Sequence, residues 1–242
     1  MNILKNLIDI IYPPRCHICR DFLPKDMSED EQVFFCQACF SDFTKITSPL
    51  CTVCSAPLDE SQEDHLCEDC LRKRPHYEKI HACYLYDGAI MDAIHQFKYG
   101  SKSFLAESLG LLFAQFAENW IQRTNDFLTI PVPLHPKRLR ERGFNQSLLL
   151  ARNIAAKLGS ELDFLSLRRV IYTTPQTGLG KKERGKNVRN AFQVVNPDVV
   201  DGRTVLLIDD VATTGSTLNE CARILRASGC RNVYGLVLAK AG

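Results

Sequence analysis

The chain lacks a long apolar run. No stretch of its 242 residues approaches the roughly 18 to 20 consecutive apolar residues of a transmembrane helix, so no membrane span is expected. Strong charge of either sign is also missing. Thirty Lys and Arg face 28 Asp and Glu, a formal net charge of +2, too small to mark a nucleic-acid coat by itself. The first twelve residues are apolar but broken by Lys5 and Asp9. They show neither the unbroken apolar core nor the small-residue cleavage site of a signal peptide. Their apolar positions 3, 4, 7, 8 and 11 follow helical spacing, which predicts a short amphipathic helix stopped by Pro13-Pro14.

What is present is an ordinary folded composition, 45% hydrophobic and 24% charged. At about 150 residues per domain it fits one large domain or two unequal ones. Charge favours two. Residues 1–82 hold nine basic and fourteen acidic side chains, whereas 83–242 hold 21 and 14, so the two parts present different surfaces.

Eight of the eleven cysteines form four C-x-x-C pairs: Cys16/Cys19, Cys36/Cys39, Cys51/Cys54 and Cys67/Cys70. Two thiolates on a tight turn grip one tetrahedral zinc, and a second such turn completes a closed, structural site. Four pairs imply up to two Zn2+ ions. Sequential pairing and cross-braced pairing are both open from spacing alone, and disulfides are the competing reading. A redox motif is disfavoured, because no strand-helix context follows any pair. Thiolate ligands fit a reducing, cytoplasmic compartment. Residues 15–80 have few periodic apolar runs, so a metal would supply what a small core cannot. Cys83, Cys221 and Cys230 are scattered and read as core thiols. The boundaries expected are a ribbon domain over 1–80 and a second domain over 81–242.

The second part alternates strand and helix. Strands are expected at 83–86, 127–132, 205–209 and 232–239, and helices at 88–97, 103–123, 147–158 and 217–228, with Ser103 as an N-cap and Gly159 and Gly229 closing helices. Trp120 falls on a helical apolar face and is expected in the core. The sum is an α/β fold with a mostly parallel sheet flanked by helices, in which ligands bind beyond the carboxyl ends of the strands. One segment meets that rule: Leu206-Leu207-Ile208-Asp209-Asp210-Val211-Ala212-Thr213-Thr214-Gly215-Ser216-Thr217. A buried strand ends in two carboxylates, and small hydroxyl residues lead into a helix. Backbone N–H groups and hydroxyls at a helix start cradle phosphate, and the carboxylates beside them suit sugar hydroxyls. Together they describe a ribose 5-phosphate. No G-K-[ST] follows, so this is not a nucleotide P-loop.

That segment resembles the phosphoribosyl pyrophosphate (PRPP) loop of type I phosphoribosyltransferases. The wider chain resembles the ComF family of competence-associated, phosphoribosyltransferase-like proteins. The Pro131–Gln146 segment with its R-G-F-N-Q, the Thr174–Val188 segment and the Lys98-Tyr99-Gly100 turn carry the likeness, as does the C-x-x-C ribbon. The resemblance implies a type I phosphoribosyltransferase fold behind a small zinc-ribbon domain. It implies that Asp209 and Asp210 hold the ribose hydroxyls and organise Mg2+ bound with PRPP, as the catalytic pair. Val211, Ala212, Thr213, Thr214, Gly215, Ser216 and Thr217 complete the PRPP loop. Residues 134–146 are expected as a loop between the strand at 127–132 and the helix at 147–158, and Lys98, Arg142, Gly143 and Phe144 would form a pyrophosphate and substrate loop. Lys137, Arg138 and Arg140 read equally well as a solvated charge run. Residues 172–190 read as a long polar loop carrying Lys181, Lys182 and Arg184, either a catalytic flap or a binding one. Competence, single-stranded DNA and a helicase-like ATPase partner are what the resemblance implies for process. Two readings result: an Mg2+-dependent transferase of unknown acceptor, and an adaptor that uses the fold as a scaffold.

Overall fold

The strand over 204–212 shows why helices cover both faces of the sheet. Leu206 and Ile208 point to one apolar layer, and Val205 and Leu207 point to the other. All four are buried, the pattern of a strand sandwiched on both sides. The computed structural model describes residues 12–23, 34–58, 62–99, 104–120, 126–173 and 187–242. The N-terminal helix expected over residues 1–12, the Ser103 cap, Gly100, and Lys181, Lys182 and Arg184 fall outside the described residues, apart from Tyr12. No helix among the described residues is long and apolar enough to cross a membrane.

In chain order the elements are α1 (Gln37–Ser41), α2 (Glu68–Arg72), β1 (Lys79–Leu85), α3 (Gly88–Tyr99), α4 (Leu105–Trp120), β2 (Phe127–Pro131), α5 (Pro136–Arg142) and α6 (Gln146–Leu158). They continue with β3 (Glu161–Leu162), β4 (Leu167–Arg169), β5 (Phe192–Val194), α7 (Pro197–Val200), β6 (Thr204–Ala212), α8 (Ser216–Ala227) and β7 (Asn232–Lys240). Five strands form one sheet in the order β1-β7-β6-β2-β3, parallel throughout. β4 and β5 make a separate antiparallel pair. The chain moves outward in opposite directions from β2 and β6, so the crevice at their carboxyl ends is the switch point where such sheets bind ligands.

The ribbons cover the sheet edge at β1. Leu85 N–H donates to Thr44 O and Ile46 N–H to Cys83 O (2.8 and 3.0 Å), and Ile80 N–H donates to Val53 O at 2.8 Å. These bonds satisfy edge groups that would otherwise invite pairing with another chain. Phe35 and Phe43 of the first ribbon join the apolar layer of α3, α4 and α6. Val53 and Tyr77 of the second join the layer of α8 and β5.

Three expectations need correction. The stretch 134–146, expected as a loop, contains helix α5, with His135 as its N-cap, Pro136 at its start and Gly143 left-handed at its end (φ +85°). The end of the expected 172–190 loop is not loose: Val188 is buried, and Asn190 N–H donates to Glu220 Oε1 at 2.7 Å. Trp120 is half-buried rather than core. Cys83, Cys221 and Cys230 are buried, as expected of core thiols.

Candidate functional site

Local sequence places the site. Asn145 caps α6 by accepting from Ser147 N–H (3.1 Å), and its amide donates to Val132 O (3.2 Å). This ties the helix to the end of β2 and aims Ser147 at β6. Ser147 Oγ donates to Asp209 Oδ1 at 2.9 Å, and Asp210 N–H donates to the same oxygen at 3.0 Å. From α3, Lys98 Nζ reaches Asp210 Oδ2 at 2.6 Å. Both carboxylates are buried.

Electrostatics divide the pair. Burial, together with the Asp210 charge, pushes the Asp209 carboxyl up to about 7. Burial works against the Asp210 charge too, but the Lys98 ammonium outweighs it and holds that carboxyl below its ordinary value. Asp210 in turn keeps the Lys98 ammonium above its ordinary range, against the opposing effect of burial. Two adjacent carboxylates thus share one ammonium, and the donor set has room for a cation that is balanced by oxygen ligands, as Mg2+ is.

A cavity of about 320 Å³ opens above this pair. Arg138, Arg142 and Arg169 supply cationic walls, and Thr213 and Thr217 border it from the loop. Arg142 donates to Gln146 Oε1 (2.6 Å) and stands 5.4 Å over the Tyr99 ring. Burial lowers the Arg169 guanidinium, whose Nη2 donates to Thr173 while its Nε finds no hydrogen-bond partner among the described residues. A buried donor without a partner is costly, and an anion in the cavity would remove that cost. At the mouth, Tyr99 is 61% and Tyr172 39% exposed, and Lys137 Nζ lies 4.5 Å from the Tyr172 ring. His135 is a cap, its Nδ1 accepting from Lys137 N–H at 3.2 Å.

The loop itself turns at Gly215, with φ +70°. A Cβ there would lie 3.2 Å from Tyr77 Oη, so the backbone conformation favours glycine and any side chain would push the tyrosine aside by a few tenths of an ångström. Thr214 and Ser216 hydroxyls sit 2.7 Å apart. Lys240 Nζ donates to Thr213 O at 3.3 Å, and Asn219 Oδ1 accepts from His76 N–H at 2.7 Å.

Of the expected site residues, the structure brings Asp209, Asp210, Thr213, Thr217, Lys98 and Arg142 to one cavity. Thr214, Gly215 and Ser216 line the far side of the loop, Val211 borders the cavity, and Ala212 is buried. Gly143 ends α5, and Phe144 stacks on Phe97 with centroids 5.4 Å apart, so it packs. Sequence reasoning missed Arg169, Ser147 and Tyr172. Arg169 reaches the cavity only through the β4–β5 pairing, which three-residue strands do not announce.

The four C-x-x-C pairs resolve into sequential clusters, Cys16, Cys19, Cys36, Cys39 and Cys51, Cys54, Cys67, Cys70, with the sulfurs of each within 4.8 Å of one another. Cys19 and Cys36 Sγ are 3.5 Å apart, and Cys54 and Cys67 Sγ 3.7 Å. A tetrahedron of Zn–S bonds of about 2.3 Å has edges of about 3.8 Å, so both sets fit structural zinc. No disulfide forms among them. Ile18, Cys39 and Cys67 N–H groups donate to Cys16, Cys36 and Cys51 Sγ (3.4 to 3.5 Å), as bound thiolates favour.

Comparison with known proteins agrees with this geometry. The model of the double zinc ribbon domain matches residues 7–71, and that of the phosphoribosyl transferase domain matches residues 145–242. The chain is 34% identical over 204 residues to the DNA utilization protein YhgH of Shigella flexneri, covering 82% of this chain and 86% of that protein. It is 32% identical over 198 residues to competence protein F of Haemophilus influenzae (80% and 85%), and 28% identical over 212 residues to competence protein ComFC of Bacillus subtilis (84% and 81%).

Proposed function

The chain belongs to the ComF family of competence and DNA-utilisation proteins, and from that premise we propose that it binds PRPP in the cavity above Asp209 and Asp210 and transfers its phosphoribosyl group to an acceptor used in DNA handling. One observation carries the reading: a buried acidic pair at the end of β6 runs into a hydroxyl-rich loop and helix at the switch point beside β2. Thr213 and Thr217, which border the cavity, take the 5-phosphate together with the backbone N–H groups of the loop between them. Asp209 and Asp210 accept from the ribose hydroxyls. Arg138, Arg142 and Arg169 face the pyrophosphate, Arg169 with its free Nε, and guanidinium suits phosphate oxygens. Lys98 moves from Asp210 toward the pyrophosphate as the site fills.

Mg2+ bound with PRPP would be held by Asp209 and Asp210 and would offset charge on the departing pyrophosphate. The reaction breaks the bond between C1 and the pyrophosphate oxygen and forms a bond from C1 to the acceptor. The bonding pair leaves with pyrophosphate, and the acceptor's proton goes to solvent. The protein's contribution is positioning and charge stabilisation. Exposed Tyr99 and Tyr172 give a planar acceptor two faces to stack on.

The test is pyrophosphate release, measured with PRPP, Mg2+ and a panel of nucleobases and single-stranded DNA. Release that disappears in Asp209→Asn/Asp210→Asn is the expected result. PRPP binding with no release from any acceptor would overturn the transferase reading and leave the scaffold for a competence helicase.

A further inference from the structure

The first turn of α6 breaks the apolar pattern of its own helix. Gln146 and Ser147 stand one turn before Leu150 and Ala151, on the face that packs against the sheet. All four are buried. A polar side chain there costs stability unless it is hydrogen-bonded, and apolar residues would pack the same face without that cost. Both polar side chains line the cavity above Asp209 and Asp210, and each holds a different ionic group of it. Ser147 Oγ donates to Asp209 Oδ1 at 2.9 Å, and Gln146 Oε1 accepts from Arg142 Nη1 at 2.6 Å. Asp210 N–H donates to the same Asp209 oxygen at 3.0 Å, so one side of that carboxylate is held by two donors. Arg142 is held between Gln146 Oε1 and the Tyr99 ring. The turn itself is tied to the end of β2, because the Asn145 side chain accepts from Ser147 N–H and donates to Val132 O.

We propose that Gln146 and Ser147 are positioning residues that divide the ligand between them: Ser147 fixes Asp209 for the ribose hydroxyls, and Gln146 fixes Arg142 for the pyrophosphate. Neither residue touches the bond that breaks; each acts through the side chain it holds. As neighbours on one turn, they set the spacing between the group that grips the sugar and the group that receives the leaving group, and such spacing governs how well a bound ligand is aligned for reaction. The division of labour rests on the reading of the cavity as a PRPP site. It explains why two buried polar residues stand where the helix otherwise buries apolar ones.

The test presents the two halves of the ligand separately. Ribose 5-phosphate and inorganic pyrophosphate are each titrated by calorimetry into the full zinc-loaded chain, without added Mg2+, so that the side chains alone are read. Ser147→Ala is expected to weaken ribose 5-phosphate about tenfold, the scale of a lost hydrogen bond to a charged group, and pyrophosphate less than about twofold. Gln146→Leu, of similar size, is expected to do the reverse. Zinc content and far-ultraviolet circular dichroism confirm that the variants are folded. A turn that served only to hold the helix in place would lose both ligands equally in both variants. That result would overturn the proposal, as would full affinity for both ligands in both variants. An intact chain that binds neither half would overturn the PRPP reading together with the proposal, whereas with an intact chain that binds both, the variants alone decide the division.

Discussion

The two ribbons carry the same four-thiolate chemistry and support different walls of the molecule. The first docks on helices. Phe34 N–H donates to Ser108 Oγ on α4 (3.2 Å), and Asp42 Oδ2 accepts from Ala89 N–H at the start of α3 (2.7 Å). Lys98 lies at the other end of α3, in its last turn. The second ribbon packs against the 213–217 loop and the helix after it, through Tyr77 beneath Gly215 and His76 N–H on Asn219 Oδ1 of α8. The two four-thiolate clusters thus differ in what their ribbons pack against: one docks on helices, and the other borders the 213–217 loop and α8. A duplicated staple need not be redundant.

The largest expected effect separates them. Cys51→Ser/Cys54→Ser should weaken PRPP binding about 100-fold, the scale of a 1 Å misplacement at a reacting site. Cys16→Ser/Cys36→Ser should lower the melting temperature but change that affinity only about two- to threefold, as distant sites do. Paired calorimetric and thermal scans measure both, and equal losses of affinity would break the comparison. Next comes Gly215→Ala. Left-handed backbone costs a Cβ-bearing residue about 1–2 kcal/mol, so PRPP affinity should fall about tenfold. Tyr77→Phe in that background removes the nearest atom and should restore part of the loss.

His81 on β1 tests the edge between the ribbons. Burial holds its imidazole down to about 2. The unfolded chain takes up that proton below about 6.5, and the folded chain does not. Stability is therefore full above that pH and falls as pH drops, by about 1.4 kcal/mol per pH unit for this group. Urea titrations from pH 7 to about 5 should show a shallower decline in His81→Phe; parallel declines would mean that the imidazole is protonated in the fold. The smallest effect is Asp42→Ala, which removes a cap on α3 and should cost about 1 kcal/mol in urea denaturation. PRPP affinity should stay unchanged, and a matching drop would mean that the first ribbon also controls the site.

Much of this was legible in sequence. Periodicity and buried runs located β6, β7, α3, α4, α6 and α8 to within a few residues, because those elements bury whole faces. The acidic pair and its loop stood out because their chemistry is local. α5 was hidden by its charge: Lys137-Arg138-Leu139-Arg140 has no apolar face, although Pro136 and Gly143 mark its ends. Arg169 and Tyr172 were not legible, since they reach the cavity through strand pairing distant in sequence. Spacing also left the cysteine pairing open, and only the fold joins each turn to the next one along.

The most direct measurement is calorimetric titration of PRPP with Mg2+ into the intact zinc-loaded chain beside Asp209→Asn/Asp210→Asn. One saturable site in the first and none in the second is the predicted result. Equal binding by both, or none by the intact chain, would contradict the assignment of the sugar-phosphate site to the end of β6.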